Sequence, residues 1–596
     1  MLMRCLLSVS VSLFAVTSIA AAAMPIAENG EPQAIVVVAK DATEAEQYAA
    51  RELAEVLPQI TGATFEITGV TTSAAGRLLV GPDAARLAAA DFSTDELGEE
   101  GLIIRTVGTD LILAGGRPRG TLYAVYTFLQ DTLGCRWWTP DVATIPHKPT
   151  LTIPELNIRF VPKLEYREPY WFTAFDADWA ARNRCNGARP PLADKHGGRI
   201  QYEGFVHTFY GLIPPDRYFE AHPEWFSEID GQRKHEHAQL CLTNEAMRAE
   251  LVRNLKARLR KNPQARIASV SQNDWHGNCQ CSRCAAVDAE EGGPSGSLLR
   301  FVNAVAAEIE PEFPHVAIST LAYQYTRKPP KHVRARPNVI VRLCSIECSF
   351  SKPLEDERNA AFRDDIKGWS KMCERLYIWD YTTNFAHYIL PHPNLRVLGP
   401  NIRFFVEHNV KGIFEQGAYQ SPGSEMMELR AWVLARLLWD PSLDANALID
   451  EFLDGYYGPA APHIRAYLAG IHDAVDTSGD PLGCYSPTDA KFLSLATLSA
   501  GWAHLQAAEA AAADKPELLA RVQVAQLPVL YAFLREWPRL RAEAKAAEAP
   551  WPVTRPKAAL FEQWAAIANA AKVTQVREHG GTDVEWLRKE LGLAGQ

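Results

Sequence analysis

Residues 266–284 read RIASVSQNDWHGNCQCSRC, a dense group of reactive side chains in a chain of 596 residues. A short apolar, β-prone run (Ile267, Ala268, Val270) ends in an amide, a carboxylate and an indole: Asn273, Asp274 and Trp275. Side chains delivered at the C-terminal end of a strand are how parallel α/β barrels present their chemistry. Later β-prone runs end in a similar way. Tyr323 closes 316–323, Glu347 follows 339–346, Asp380 and Tyr381 follow Trp379, and Glu415 with Gln416 follow 411–414. If these ends share one rim, four carboxylates (Asp274, Glu347, Asp380 and Glu415) converge with several aromatics.

Glycoside hydrolysis needs such a set. One carboxylic acid protonates the leaving oxygen, while a second group captures or stabilises an oxocarbenium-like centre. On a 2-acetamido sugar the acetamide itself can act as nucleophile; Asn273 would then hold it and Asp274 would serve as acid or polariser. Each residue also has a plainer reading. Asp274 can cap the following segment, Glu415 can pair with an arginine, and Asp380 can orient a neighbour. Glu347, between Cys344 and Cys348, can sit in a disulfide-pinned loop. His207 is a candidate hydroxyl ligand, Gln416 a candidate substrate contact, and Trp275, Tyr323, Trp379 and Tyr381 are candidate stacking surfaces for sugar rings.

The cysteines Cys279, Cys281 and Cys284 are spaced C-x-C-x-x-C. Zinc, with Cys241 or His276 as fourth ligand, is one reading, but paired C-x-x-C units or spaced histidines are missing. The N-terminus tips the balance. Arg4, an apolar run to Ala15 and a small-residue site ending at Ala23 describe a secretory leader over 1–23, and export favours disulfides. The expectation is therefore disulfides that pin the loop behind Asp274, with no metal and no cofactor, in a periplasmic or secreted protein. After leader cleavage no membrane insertion is expected, since no other stretch approaches spanning length. A formal net charge of -10 argues against a nucleic-acid partner.

The elements that must position these residues follow from periodicity. After the leader, strands and two helices (44–57 and 119–133) make a small α/β sandwich over 24–150. From 160 to 445 the pattern becomes strand, loop or helix, strand. Strands are expected at 164–172, 204–209, 237–242, 266–271, 316–323, 339–346, 376–379 and 411–414, with helices at 245–261, 297–310, 359–372 and 394–408. Eight strands with intervening helices predict a (β/α)8 TIM-like barrel. Residues 446–596 are helical, with Leu530, Phe533, Leu534 and Trp537 at core-packing spacing.

The blocks ELAEVLPQITGA, LLVGP and GLIIRTVGTDLILAGGRPRGTLYAVYTFLQDTLGCRWWTPD resemble the N-terminal accessory domain of α-glucuronidases and β-hexosaminidases. The blocks HTFYGLIPPDRYFEAHPEWFSEIDGQR, LCLTNE, SVSQNDWHGNCQCSRC, TLAYQYTRKPP, WDYTTNF and GIFEQGAYQSPGSEMMELRAWVLARLLWDP resemble the domain of unknown function 4838, part of which is glycoside hydrolase family 163. That resemblance spans about 205–445 and implies a retaining endo-β-N-acetylglucosaminidase acting on the core of N-glycans. β-Hexosaminidases carry an Asp-Glu pair where this chain has Asn273-Asp274.

The resulting expectation is a secreted glycoside hydrolase with Asn273, Asp274 and Glu415 at the reacting centre, Glu347 and Asp380 in support, and a glycan or glycoprotein as substrate. Two alternatives stay open. One is a glucuronidase-like enzyme, which would want a cation such as Arg342 facing inward. The other is a glycan-binding barrel without catalysis.

Overall fold

In the computed structural model, the described residues are 23–69 and 76–594. The expected leader thus lies, except for Ala23, outside the described residues. The chain forms two compact units: one comprises residues up to Gly134 plus Ile145–Phe160, the other Cys135–Thr144 plus everything from Val161 onward.

The first unit is an α/β layer structure. Its long helix, Glu44–Thr61, starts on a capping box in which the Thr43 hydroxyl accepts from the Glu46 N–H at 3.3 Å and the Glu46 carboxylate accepts from the Thr43 N–H at 2.8 Å. The helix buries Ala49, Leu53, Val56, Leu57 and Ile60. Its unit also contains a six-stranded sheet ordered Asn157–Phe160, Leu102–Val107, Asp110–Gly115, Arg77–Val80, Ile35–Val38, Ile67–Thr68.

The second unit is built on one parallel sheet of seven strands. In chain order these are β1 (Tyr166–Tyr170), β2 (Tyr202–Glu203), β3 (Ile267–Ser269), β4 (Ala317–Ala322), β5 (Val339–Cys344), β6 (Arg375–Tyr381) and β7 (Val410–Gln416). Their spatial order is β1-β7-β6-β5-β4-β3-β2, so the sheet curls as half of a barrel does. Every residue of β4 and β5 is buried, as expected for parallel strands covered on both faces. Helices Glu245–Lys261, Pro294–Ile309, Ala360–Met372 and Leu395–Glu407 cover the outer face. The inner face holds Tyr166, Ile267, Ala317, Ile340, Tyr377 and Phe414, packed with Tyr202, Phe205 and Trp379.

Seven strands stand where the sequence predicts eight. Residues 237–242 make no strand; Leu240 forms a single antiparallel bridge with Phe226. The backbone there is taken by loops, with Gln239 N–H donating to Gly277 O at 3.1 Å and Cys241 N–H to Trp225 O at 2.8 Å. The second strand is shorter and earlier than 204–209, which runs instead into a short helix at Phe209–Leu212. Among the described residues no ladder joins β1 to β2. Their inner side chains meet instead, the Tyr166 and Tyr202 rings lying edge to face at 5.9 Å.

The C-terminal helices belong to the same compact unit as the parallel sheet, and Leu530, Phe533 and Leu534 are fully buried in it. Contrary to the sequence reading, one of them, Pro516–Arg535, is long and apolar enough to cross a membrane, although 61% of its most apolar window is buried within the fold. The expected disulfides are absent: all ten cysteines among the described residues are free and buried.

Candidate active site at the C-terminal ends of the strands

Strand parity decides which predicted residues meet. Side chains alternate between the two faces, and the inward set includes Leu321 and Tyr323, Cys344 and Ile346, Trp379 and Tyr381, and Gln416. All of these line one cleft, together with Val206, His207, Asp274, Phe385, Tyr419, Tyr485 and Glu578. Six sequence-predicted residues therefore converge: His207, Asp274, Tyr323, Trp379, Tyr381 and Gln416.

Asp274 projects into this cleft with its side chain 59% exposed. It accepts from the Tyr323 hydroxyl at 3.1 Å, and Gln324 donates to that same hydroxyl oxygen at 2.9 Å. Burial raises the Tyr323 pKa well above its ordinary value, as does the nearby negative charge of Asp274, so the hydroxyl remains a donor. His207 Nδ1 lies 2.7 Å from the Gln272 carbonyl oxygen. A carbonyl only accepts, so that nitrogen carries the proton and Nε2 faces Asp274 at 3.7 Å. His207 (φ 54°) and Gln324 (φ 50°) both occupy the left-handed region. Such strain at non-glycine residues costs roughly 1–3 kcal/mol and gathers at functional sites.

The remaining lining forms an aromatic wall and a polar floor. Trp379 and Tyr381 stack at 6.2 Å, Tyr381 meets Phe385 edge-on at 6.0 Å, and Phe385 leads to the exposed Tyr485 at 6.5 Å. Trp379 Nε1–H donates to Gln416 Oε1 at 2.7 Å, which leaves the Gln416 NH2 group for the cleft. No Lys or Arg is among the lining residues.

Glu578 lines the same cleft as Asp274, and no motif in the sequence marked it. It sits in an irregular turn that clips onto the loop after β6: Glu578 N–H donates to Phe385 O at 2.9 Å, and Tyr388 N–H to Val576 O at 2.9 Å. The neighbouring 484–486 turn, which carries Tyr485, is fixed to the same loop, Phe385 N–H donating to Cys484 O at 2.7 Å and Asn384 Nδ2 to Ser486 O at 2.8 Å. The Tyr419 hydroxyl lies 3.4 Å from Glu578 Oε1. Burial raises the Glu578 pKa, and the charge of Asp274 adds to the rise against the opposing pull of His579 and Tyr419. The two carboxyls thus sit in different surroundings, one wet and hydrogen-bonded, one half-buried and inclined to hold its proton.

Five predicted residues lie elsewhere, and the expectation of four carboxylates on one rim needs correcting. Asp380 and Glu415 are register partners on β6 and β7, one position out of phase with Trp379, Tyr381 and Gln416, and so face away from the cleft. Asp380 accepts from the Ser345 hydroxyl and from Tyr381 N–H at 3.0 Å. Glu415 is 1% exposed, and neither of its oxygens meets a partner in ordinary hydrogen-bond geometry. Burial raises both carboxyls, Asp380 to about 6, and Glu415 is raised further by the charge of Asp380. Glu415 therefore keeps the proton and Asp380, which has the donors, carries the charge.

Glu347 pairs with Arg327 at 3.1 Å, and its flanking Cys344 and Cys348 are unbonded. The Asn273 amide is taken up by backbone, donating to Ala238 O at 3.1 Å and accepting from Tyr210 N–H at 3.3 Å. Trp275 donates to Ala238 O at 2.7 Å and packs against Tyr210. Arg342 does face inward, but below the cleft, where it donates to the Tyr202 hydroxyl and lies over the rings of Tyr202, Phe205 and Trp379.

Residues 137–469 match the family described as Domain of unknown function (DUF4838). The chain belongs to the DUF4838 family. Residues 18–128 match the family described as Glycosyl hydrolase family 67 N-terminus. No protein of curated function matches the chain in sequence. Among solved structures, this DUF4838 member is similar to a family GH115 4-O-methyl-α-glucuronidase, BtGH115A, whose description gives specificity for decorated arabinogalactans. The TM-score is 0.58 at 11% identity, covering 92% of this chain and 77% of the other. CpGH84B is also similar, with a TM-score of 0.49 at 11% identity over 96% of this chain and 97% of the other. The structural neighbours are glycoside hydrolases, and the shared property is the fold.

Proposed function

We propose that this chain is an exported glycoside hydrolase acting with retention on a β-linked 2-acetamido sugar, N-acetylglucosamine of N-glycans being the intended substrate. The observation that carries the reading is that Asp274 and Glu578 line one cleft together with Trp379, Tyr381, Phe385 and Tyr485. A carboxylic acid to protonate the leaving oxygen and a second carboxyl to hold the sugar at the reacting centre are what glycoside cleavage requires. Glu578, with its raised pKa, gives its proton to the glycosidic oxygen as the bond from that oxygen to C1 breaks. Asp274 accepts the acetamide N–H, and the Tyr323 hydroxyl, which donates to Asp274 in the free cleft, turns its one proton to the acetamide carbonyl. That carbonyl oxygen forms the new bond to C1. Water then attacks C1, the ring opens back to the acetamide, and the Glu578 carboxylate takes the proton from the water.

The same lining weighs against a uronic-acid substrate. With two carboxyls and no Lys or Arg in the lining, a sugar carboxylate meets repulsion rather than a partner. The resemblance of residues 205–445 to the glycoside hydrolase family 163 portion of DUF4838 supports the acetamido sugar.

The test is turnover by the full chain of N-glycoprotein and aryl N-acetylglucosaminide. Wild type releases sugar and is inhibited by N-acetylglucosamine-thiazoline, while Asp274→Asn loses turnover and still binds glycan. A wild-type protein that binds glycan without releasing sugar would make the chain a lectin. An active enzyme indifferent to the thiazoline would sink the acetamide-assisted step.

A further inference from the structure

We propose that Cys241, Cys279, Cys281 and Cys284 bind one structural zinc ion that holds the loop bearing Asp274. The four sulfurs all lie within 4.8 Å of one another, with Cys241 Sγ 3.8 Å from Cys281 Sγ and 3.9 Å from Cys284 Sγ. A disulfide brings two sulfurs to about 2.05 Å. Four thiolates around tetrahedral zinc, each at about 2.3 Å from the metal, stand roughly 3.8 Å apart. The observed spacing is that of co-ligands. All four residues are buried and form a cluster of their own.

The surroundings suit thiolates rather than thiols packed as small hydrophobes. Glu228 N–H donates to Cys279 Sγ at 3.3 Å, and the Arg233 guanidinium reaches the same sulfur at 3.5 Å. The Thr243 hydroxyl lies 3.2 Å from Cys284 Sγ. Cys281 is the N-cap of helix Ser282–Glu291, and Cys284 lies in its first turn, where the positive end of the helix favours negative sulfur. Donors directed at ligand atoms are the usual outer support of a metal site. As the ion binds, each thiol that becomes a ligand releases its proton to solvent. Four thiolates in tetrahedral array select a soft or borderline ion and not calcium or magnesium. Zinc also keeps exported thiols from oxidising.

The site closes a loop that the active cleft uses. Gln239, two residues before Cys241, donates to Asn273 O at 3.1 Å and Trp275 O at 2.6 Å, and accepts from Asn273 N–H at 2.9 Å. Gln280 N–H donates to Glu228 O at 2.7 Å. Asp274 therefore projects from a segment pinned by Gln239 on one side and by the four sulfurs on the other.

The experiment is metal analysis by plasma mass spectrometry on full-length protein purified without chelator, with thiol counting after denaturation. We expect about one zinc per chain, a large loss of zinc in Cys241→Ser and Cys284→Ser, and unchanged zinc in Cys373→Ser. Cobalt exchange into wild-type protein gives a second reading that does not depend on the serine variants folding. Tetrahedral tetrathiolate cobalt shows intense visible absorption and sulfur-to-metal charge transfer. Zinc removal should also lower Tm. Folded protein without metal, iron in place of zinc, or a disulfide among these four cysteines in non-reducing peptide maps would each overturn the proposal. None of these readouts depends on the substrate.

Discussion

At the scale of single residues, the buried Asp380–Glu415 pair makes a prediction separate from catalysis. Carboxyls whose folded pKa is raised contribute stability below their unfolded value, about 4 for Asp and Glu, and lose it as pH rises through the folded value. Asp380 is raised to about 6 and Glu415 is also raised, so the fold should weaken as pH climbs from about 4 through about 6, and beyond that as long as Glu415 still holds its proton. Glu415→Gln keeps the shape and removes the proton that must be lost. The Tm of the variant should gain on that of wild type as pH rises above about 4. Parallel Tm curves would show that the pair is not titrating. The residue types of the cleft were legible in the sequence, but strand phase was not. A strand-end Asp-Tyr or Glu-Gln dipeptide sends one side chain inward and one outward, and a one-residue choice separates Asp380 and Glu415 from Tyr381 and Gln416. Glu578 carried no signal because its place comes from a turn docked on a distant loop.

At the scale of elements, the long parallel strands and their covering helices were readable because both faces of β4 and β5 are buried and their sequences are mostly apolar, with Ser319, Thr320 and Arg342 as the exceptions. The second and third expected strands were not. Gln239 spends its side chain on Asn273 and Trp275, and the apolar residues around it pack under loops, so alternation there marks a loop brace. The cysteine pattern misled for a different reason. Cys241, 40 residues upstream of Cys281, was in view as a fourth ligand, but the leader-like N-terminus weighed toward disulfides. Close packing at the end of β7 gives a second prediction. A methyl on Gly417 would come within 2.1 Å of Trp171 Cε2, a fully buried ring. Gly417→Ala should cost about 1–3 kcal/mol by overpacking and shift the adjacent Gln416. Thermal denaturation measures the first effect, and an unchanged Tm would contradict the packing described.

For the whole molecule, the candidate cleft draws on residues from Val206 to Glu578, so it is complete only when the parallel sheet and the C-terminal helices have both folded. Loss of activity in urea should therefore coincide with loss of tryptophan fluorescence from buried Trp171, Trp369, Trp432 and Trp564. Activity lost well before the fluorescence change would mean that the turn carrying Glu578 opens on its own.

The central claim is that Glu578, and not Glu415, supplies the proton. The most direct measurement is the pH dependence of kcat/KM for wild type, Glu578→Gln and Glu415→Gln on aryl N-acetylglucosaminides with poor and good leaving groups. For wild type, activity should fall as pH rises through the raised Glu578 pKa. Glu578→Gln should lose that limb and drop about 10²–10⁴-fold on the poor leaving group, with little loss on the good one, while Glu415→Gln keeps the wild-type profile. A Glu578→Gln enzyme with the wild-type rate and limb, beside an inactive but folded Glu415→Gln, would contradict the account.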